Sequence, residues 1–313
     1  MSAPTRPGST SGNATTFQRW ARRLSELGHE VIEQAHADET QAADVAIVLH
    51  AKRGAEAIRR YAALTRPPKI VVGFGGTDVY GDLADPDIVS SLALGDAFVV
   101  LQSLAADRLG QRVGGRVWVI HQAVENAPAA RGLGDADVRQ VVVLSHLRDV
   151  KDPLRAAEAA CVLSSDVPIR VLHAGAAHDE TWTRRAQELS DNCEKYQWLG
   201  ELSRPQALTL LNESDALVLT SVSEGGANVV SEALALRKPI IASRIEGTVG
   251  MLGSDHPGYF EVGDTAGLAR LLQRFALEQS FRDELEQSSI DHAWLVDPAT
   301  ERSEWMRLLA SLG

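Results

Sequence analysis

Short runs of β-branched and aliphatic residues recur along this chain, each followed by a stretch whose apolar positions return every three or four residues. The runs predict strands over residues 29–33, 45–49, 70–74, 98–101 and 117–120, then over 141–144, 169–172, 196–199, 217–220, 240–243 and 259–262. Between them the spacing predicts amphipathic helices, for example over 16–27, 154–163 and 206–211. This alternation predicts an α/β protein of βαβ units, with mostly parallel sheets covered on both faces. It lapses over residues 123–138, where Ala, Gly, Pro and Asp replace any period. That segment reads as a linker between two Rossmann-like, doubly wound domains, residues 1–122 and 139–296. A closing stretch, 297–312, has Pro298 at its start and Trp305, Met306, Leu308 and Leu309 on an apolar stripe, which predicts one amphipathic helix.

The opening is unusual for such a fold. A doubly wound domain normally begins with an apolar strand that leads into its first glycine-bearing loop. Here the loop Pro7-Gly8-Ser9-Thr10-Ser11-Gly12-Asn13 comes almost at once, so the first strand of the N-terminal sheet is expected to be missing.

With 313 residues the chain is long enough for two domains, and 44% hydrophobic with 23% charged residues is the balance of an ordered globular protein. A net charge of −11 argues against a nucleic-acid partner, because a phosphate backbone demands a basic face. The apolar runs are far shorter than the ~20 residues of a spanning helix, and the N-terminus lacks the apolar core of a signal peptide. The expectation is a cytoplasmic protein without membrane insertion. Cys161 and Cys193 lack the paired spacing of a zinc or redox site and are expected to be free thiols.

In parallel sheets, ligands bind outside the carboxyl ends of the strands. Four histidines stand there: His50, His121, His146 and His173. Each is a candidate ligand contact, or else a neutral imidazole that satisfies strand-end backbone groups. No short ligand pair accompanies them, so no metal site is expected.

The sharpest motif follows the predicted strand 217–220: Ser221-Val222-Ser223-Glu224-Gly225-Gly226-Ala227-Asn228, then Glu232. The glycines let backbone approach a ligand closely, and a helix beginning near Asn228 would present free amides and its positive end to an anion. Glu224 before the helix suits a sugar, and Glu232 on its second turn suits the paired hydroxyls of a ribose. An acidic first turn that merely complements the dipole is the plainer reading. Lys151 and Arg148, by contrast, are cations at a helix start, where they oppose the dipole and so call for another reason.

Two Glu residues separated by seven others, followed by Ala-Leu-Ala and Pro-Ile-Ile-Ala-Ser, resemble the donor motif of family 4 GT-B glycosyltransferases. That resemblance implies that Glu232 binds the nucleotide ribose and Glu224 the donor sugar, while Gly225, Gly226, Ala227 and Asn228 hold phosphate or sugar. It implies that Lys151 neutralises the departing diphosphate. His146 stands where the family usually has Arg, with Arg148 close by to compensate, and His146 and His173 join the donor contacts. It also implies that helix 297–312 crosses back onto the N-terminal domain and gates closure.

A narrower resemblance rests on several segments together. They are Gly8-Ser9 with Gly12-Asn13 and the helix Arg19-Trp20-Ala21-Arg22 after them, His50-Ala51-Lys52-Arg53, Gly76-Thr77-Asp78-Val79-Tyr80, His146-Leu147-Arg148 with Lys151-Asp152-Pro153, and Gly247 to Gly253 with Pro257-Gly258-Tyr259-Phe260. In combination with the Glu pair they resemble the selenosugar synthases (SenB proteins) over nearly the whole chain. The implied reaction joins a UDP-sugar, typically UDP-N-acetylglucosamine, to selenophosphate, with UDP leaving and phosphate lost. The implied acceptor pocket comprises Ser9, Thr10, Gly12, Asn13, His50, Lys52, Arg53, Thr77, Asp78 and His121, with neither cofactor nor metal. Selenophosphate is anionic near neutral pH, so a dedicated base is not required for its attack. Other readings stay open: transfer to a small alcohol or thiol, a UDP-sugar epimerase, or a binding module without catalysis. Asp78 could equally cap a turn. A dehydrogenase is disfavoured, since no Gly-x-Gly-x-x-Gly follows a strand.

Overall fold

Unbroken Val, Ile and Leu runs suit strands that are buried on both faces. In the computed structural model, which describes residues 1–3, 12–34, 43–113, 116–125, 127–132 and 137–313, they form two parallel sheets. The chain divides into two units. The first is Met1–Ala123 with Glu224–Asn228 and Asp297–Gly313, and the second is Val124–Ser223 with Val229–Val296.

In the first unit, β1 (Val45–Leu49), β2 (Lys69–Gly73), β3 (Ala97–Val100) and β4 (Val117–Val119) lie side by side in that order. Alternate residues serve opposite faces. Val48, Val72, Phe98 and Val100 pack with Ile58, Ile88 and Leu109 from the flanking helices. Leu49, Val71, Val99 and Leu101 pack instead with Phe17, Trp20 and Leu24 of helix Gly12–Glu26 and with Trp305 and Leu308 of helix Pro298–Leu312. Trp20 and Trp305 meet edge to face with centroids 5.1 Å apart, and both are fully buried.

Residues 29–33 do not form the expected strand. Among the described residues, the pairing next to this segment is one bridge, Ser2 with Gln34, while Ser2 also bridges to Val48 of β1.

In the second unit the order is β10 (Tyr259–Phe260), β9 (Ile240–Ser243), β8 (Ala216–Leu219), β5 (Arg139–Leu144), β6 (Ile169–Ala174) and β7 (Tyr196–Trp198). The chain winds outward from β5 through β6 to β7, then returns to β8 and winds the other way. The loops after β5 and β8 therefore flank the switch point, where α/β sheets bind ligands. Residues 127–132, expected to be linker, group with this unit. Asn212 Nδ2 donates to the Ala129 carbonyl, its Oδ1 accepts from Arg131 N–H, and Lys238 Nζ donates to the Arg131 carbonyl at 2.6 Å.

The cysteine expectation needs correcting. Cys161 ends helix Arg155–Cys161, Cys193 caps helix Glu180–Asn192, and the two form a disulfide with Cα atoms 5.7 Å apart. Spacing hid the pair because 32 residues separate the partners, and parallel packing of β6 beside β5 and β7 brings them together. Closing a loop of that length is worth about 2–4 kcal/mol. Reduction, or Cys161→Ser, is expected to lower the urea midpoint of the second unit accordingly, as read by hydrogen exchange of the segment 155–198. A midpoint that does not move with reductant would show that the bridge adds nothing.

Candidate functional site

The loop after β5 carries Ser145 to Lys151 and is pinned from two sides. Leu147 N–H donates to the Ala176 carbonyl, and a turn over Asp149–Lys151 is closed by Lys151 N–H on the Arg148 carbonyl. The loop after β8 then docks onto that turn. Thr220 Oγ1 donates to the Lys151 carbonyl at 2.9 Å, and Val222 N–H donates to the Val150 carbonyl at 2.9 Å. Lys151 and the start of the Glu224 motif are thus joined through backbone, with Lys151 half-buried and Arg148 exposed.

His146 Nδ1 accepts from Ala176 N–H at 3.2 Å, which fixes the other nitrogen as its N–H. Burial, reinforced by the charges of Arg148 and Lys151 and opposed by Glu201, lowers its pKa below the usual imidazole value. Near neutral pH the ring is uncharged. The positive charges of this loop are therefore those of Lys151 and Arg148. His173 is fully buried: Tyr196 OH sits 3.0 Å from Nδ1, and the Ser145 carbonyl accepts from Nε2 at 3.0 Å. Burial pushes its pKa down to about 4. Of the two readings given for strand-end histidines, His173 fits the imidazole that satisfies backbone groups.

Helix Asn228–Ala235 begins at Asn228, so Glu232 lies on its second turn. Its Oε1 accepts from both Nε and Nη2 of Arg204 at 3.2 Å, and it is largely buried while Arg204 is exposed. Arg204 is the first residue of helix Arg204–Glu213, a cation against the dipole. In the sequence Arg204 carries the same signal as Lys151 and Arg148, a cation at a helix start.

Glu224–Asn228 groups with the first unit, and the geometry gives its glycines a definite task. A Cβ on Gly225 would come within 2.4 Å of Gly76 N, and one on Gly226 within 2.6 Å of Leu101 Cβ. The same holds for Gly76, whose added Cβ would meet Gly225 N at 2.4 Å. Two glycine loops thus touch backbone to backbone. Asn228 Oδ1 lies 3.4 Å from Nη1 of buried Arg19, which also donates to Gln122 at 2.6 Å, and Gln122 in turn donates to Thr16. Gly12 and Asn13, at the start of helix Gly12–Glu26, lie alongside: Gly12 next to Asn228 and Asn13 next to Gly75. Ser9 and Thr10 fall outside the described residues. Gln122 had no place in the motifs, and Arg19, although it opens the Arg19-Trp20-Ala21-Arg22 segment, was given no role there. A charged residue on the apolar face of an amphipathic helix, flanked by Phe17 and Trp20, was the available signal for Arg19.

Asp78 is fully buried, and its carboxylate accepts from the backbone N–H groups of Ala51, Lys52 and Gly75. It also lies 2.7 Å from His50 Nδ1. It caps the chain after β1 and positions a histidine at once. Lys52 and Arg53 are exposed, and Lys52 pairs with Asp85 at 2.8 Å. His121 is largely buried, which pushes its pKa down to about 4, and nothing among the described residues bonds its Nε2. Among the described residues no group of three His, Cys, Asp or Glu side chains is placed to hold a metal, and no helix is long and apolar enough to cross a membrane.

Residues 131–292, a little over half of the chain, match the family described as glycosyl transferases group 1. The chain belongs to that family. The match takes in Arg148, Lys151, Arg204, Glu224 and Glu232. Its fold is similar to that of several solved structures of low sequence identity. A TarM mutant from S. aureus, in complex with Fondaparinux, alpha-GlcNAc-glycerol and UDP, is 15% identical with a TM-score of 0.65, over 84% of this chain and 55% of TarM. HepE from Anabaena, in complex with UDP and glucose, is 15% identical with a TM-score of 0.68, over 86% of this chain and 78% of HepE. Sucrose-phosphate synthase from Thermosynechococcus elongatus is 14% identical with a TM-score of 0.68, over 96% of this chain and 77% of that enzyme. This chain spans only about half the length of TarM. The shared architecture is the two-sheet GT-B fold that the strand alternation and the Glu pair predicted.

Proposed function

We propose that this protein is a selenosugar synthase, a glycosyltransferase that joins the sugar of UDP-N-acetylglucosamine to selenophosphate. The observation that carries the transfer reading is the junction of the loops after β5 and β8, which ties Lys151 to the strand end from which the Glu224–Glu232 motif departs. A cation and a helix N-terminus beside one switch point suit a departing diphosphate. On this reading residues 139–296 hold the donor. Lys151 and Arg148 neutralise the diphosphate, Glu232 takes the ribose hydroxyls, and Glu224 with Gly225 to Asn228 takes the sugar. Residues 1–122, with helix 297–312 packed on them, take the acceptor. HepE was solved with UDP and glucose, and the pneumococcal O-GlcNAc transferase GtfA with UDP and GlcNAc, which favours a UDP-sugar here. The selenium half of the reading rests on the segments that resemble those of selenosugar synthases over nearly the whole chain. We place the protein in the cytoplasm, where the Cys161–Cys193 pair would be held largely reduced.

Incubation with UDP-N-acetylglucosamine and preformed selenophosphate should release UDP and yield a seleno sugar by mass spectrometry. UDP-sugar consumption with alcohols or thiols, and none with selenophosphate, would reject the selenium reading. One observation favours that second reading, transfer to a small hydroxyl or thiol: His50 is oriented by Asp78 as a base would be.

Glu232 supplies a separate check. Glu232→Ala is expected to weaken UDP binding by about 1–3 kcal/mol, the worth of a charged hydrogen-bonding partner. Unchanged affinity by calorimetry in the folded variant removes Glu232 from the site.

A further inference from the structure

Asp78, His50 and Thr77 form a chain of hydrogen bonds. Asp78 Oδ1 lies 2.7 Å from His50 Nδ1, and His50 Nε2 lies 3.1 Å from Thr77 Oγ1. Asp78 is fully buried and His50 is 3% exposed, whereas Thr77 is open to solvent. The carboxylate can only accept at that short distance, so Nδ1 carries the proton. Arg53 N–H, 3.4 Å from the same nitrogen, is too distant to compete. Nε2 is therefore the lone-pair side of the ring, and Thr77 donates to it. The backbone is committed to this arrangement. His50 sits at φ 75°, a left-handed conformation that histidine seldom adopts, held by His50 N–H on the Gly73 carbonyl and Gly54 N–H on the His50 carbonyl. Thr77 follows Gly76, whose backbone touches Gly225, next to Glu224. The open hydroxyl thus stands one residue from the loop assigned to the donor sugar.

A buried carboxylate that orients an imidazole, whose free nitrogen serves an exposed hydroxyl, is an arrangement for moving a proton outward or inward. Attack by selenophosphate does not need one, because its selenium carries no proton to remove. The later loss of phosphate does. Resting on the function proposed above, we infer that Thr77, His50 and Asp78 are a proton relay for hydrolysis of the selenium–phosphorus bond. Water adds through its oxygen to phosphorus, and the bonding pair between selenium and phosphorus leaves with selenium. The glycosyl selenophosphate dianion and water become a selenolate, hydrogen phosphate and one proton. Thr77 Oγ takes that proton from water as it passes its own to His50 Nε2, and Asp78 holds the imidazolium that results. No electron changes hands beyond the bond pairs. Asp78 acts only through His50 and is a positioning residue.

The test uses the full chain with UDP-N-acetylglucosamine and preformed selenophosphate, and measures UDP, inorganic phosphate and the sugar product separately. The wild type should release phosphate and UDP one for one. In Thr77→Val and His50→Gln the phosphate released per UDP should fall at least tenfold, with a selenosugar that retains its phosphate accumulating by mass spectrometry. Thr77→Ser, which restores the hydroxyl, should recover at least half of the phosphate yield. Counting product per UDP makes the result independent of any fall in overall rate. Asp78→Asn is unsuitable as the primary variant, because three backbone N–H groups depend on that carboxylate. Phosphate and UDP still released one for one in Thr77→Val or His50→Gln overturn the relay alone. A wild type that releases no UDP on selenophosphate overturns the function on which the relay rests, and the relay with it.

Discussion

Lys151→Ala is expected to lower kcat for UDP release by about 10²–10³, the usual cost of removing one preorganised group from a developing charge. As UDP departs, negative charge gathers on the diphosphate, and a fixed cation stabilises that state more than the bound donor. The backbone of Lys151 is fixed at both ends. Its N–H bonds the Arg148 carbonyl, and its carbonyl receives Thr220 and so joins the two loops. Truncation to Ala leaves those backbone bonds in place, so a fall in kcat should come with the fold intact by circular dichroism. Lys151→Arg should recover part of the rate. His146 cannot substitute, because burial and the neighbouring cations keep it neutral. Stopped-flow or coupled measurement of UDP at saturating donor decides the matter. If the Ala variant keeps kcat within threefold, Lys151 is a solvated surface charge and the diphosphate is neutralised elsewhere.

What could be read from the sequence was whatever a local pattern records. Buried parallel strands declare themselves as apolar runs, and ten of the eleven expected strands overlap strands of the two sheets. The helix starting at Asn228 was legible because a strand, two glycines and an apolar period meet there. What escaped was decided across the fold. His50 and His173 look alike in sequence, each closing an apolar strand. One faces Asp78 and Thr77, while the other faces Tyr196 and the Ser145 carbonyl and is consumed by them. Gly225 and Gly226 were read as room for a ligand, yet the atoms they make room for include Gly76 N and Leu101 Cβ. The Cys161–Cys193 bridge joins two helix ends, so no spacing rule could announce it. Arg204 was within reach, because the dipole argument used for Lys151 applies to it unchanged.

Glu301→Ala is expected to cost the first unit about 3–5 kcal/mol, because it takes the buried carboxylate partner away from a buried guanidinium. Arg23 on helix Gly12–Glu26 reaches Glu301 on helix Pro298–Leu312 through Nε at 3.3 Å and Nη2 at 3.2 Å, and both side chains are 0% exposed. Glu26 contacts Arg23 Nη1 as well, but it is partly exposed and cannot serve the face that Glu301 leaves. Glu301 also lies in the first turn of its helix, where an acid gains only a few tenths to about 1 kcal/mol from the dipole. The buried pair therefore dominates the expected loss. Removing both charges tests this directly: Arg23→Met with Glu301→Leu should recover most of the stability, because neither charge then pays for desolvation. Two units need not unfold together, so the readout is hydrogen exchange of residues 12–26, which reports the first unit by itself. The helix packs Trp305 and Leu308 into that same unit, so UDP affinity, assigned to the second, should hold within about threefold in Glu301→Ala while turnover falls. A loss of UDP affinity in step with the exchange rates would mean that the last helix supports donor binding instead, and the division of labour proposed here would fail.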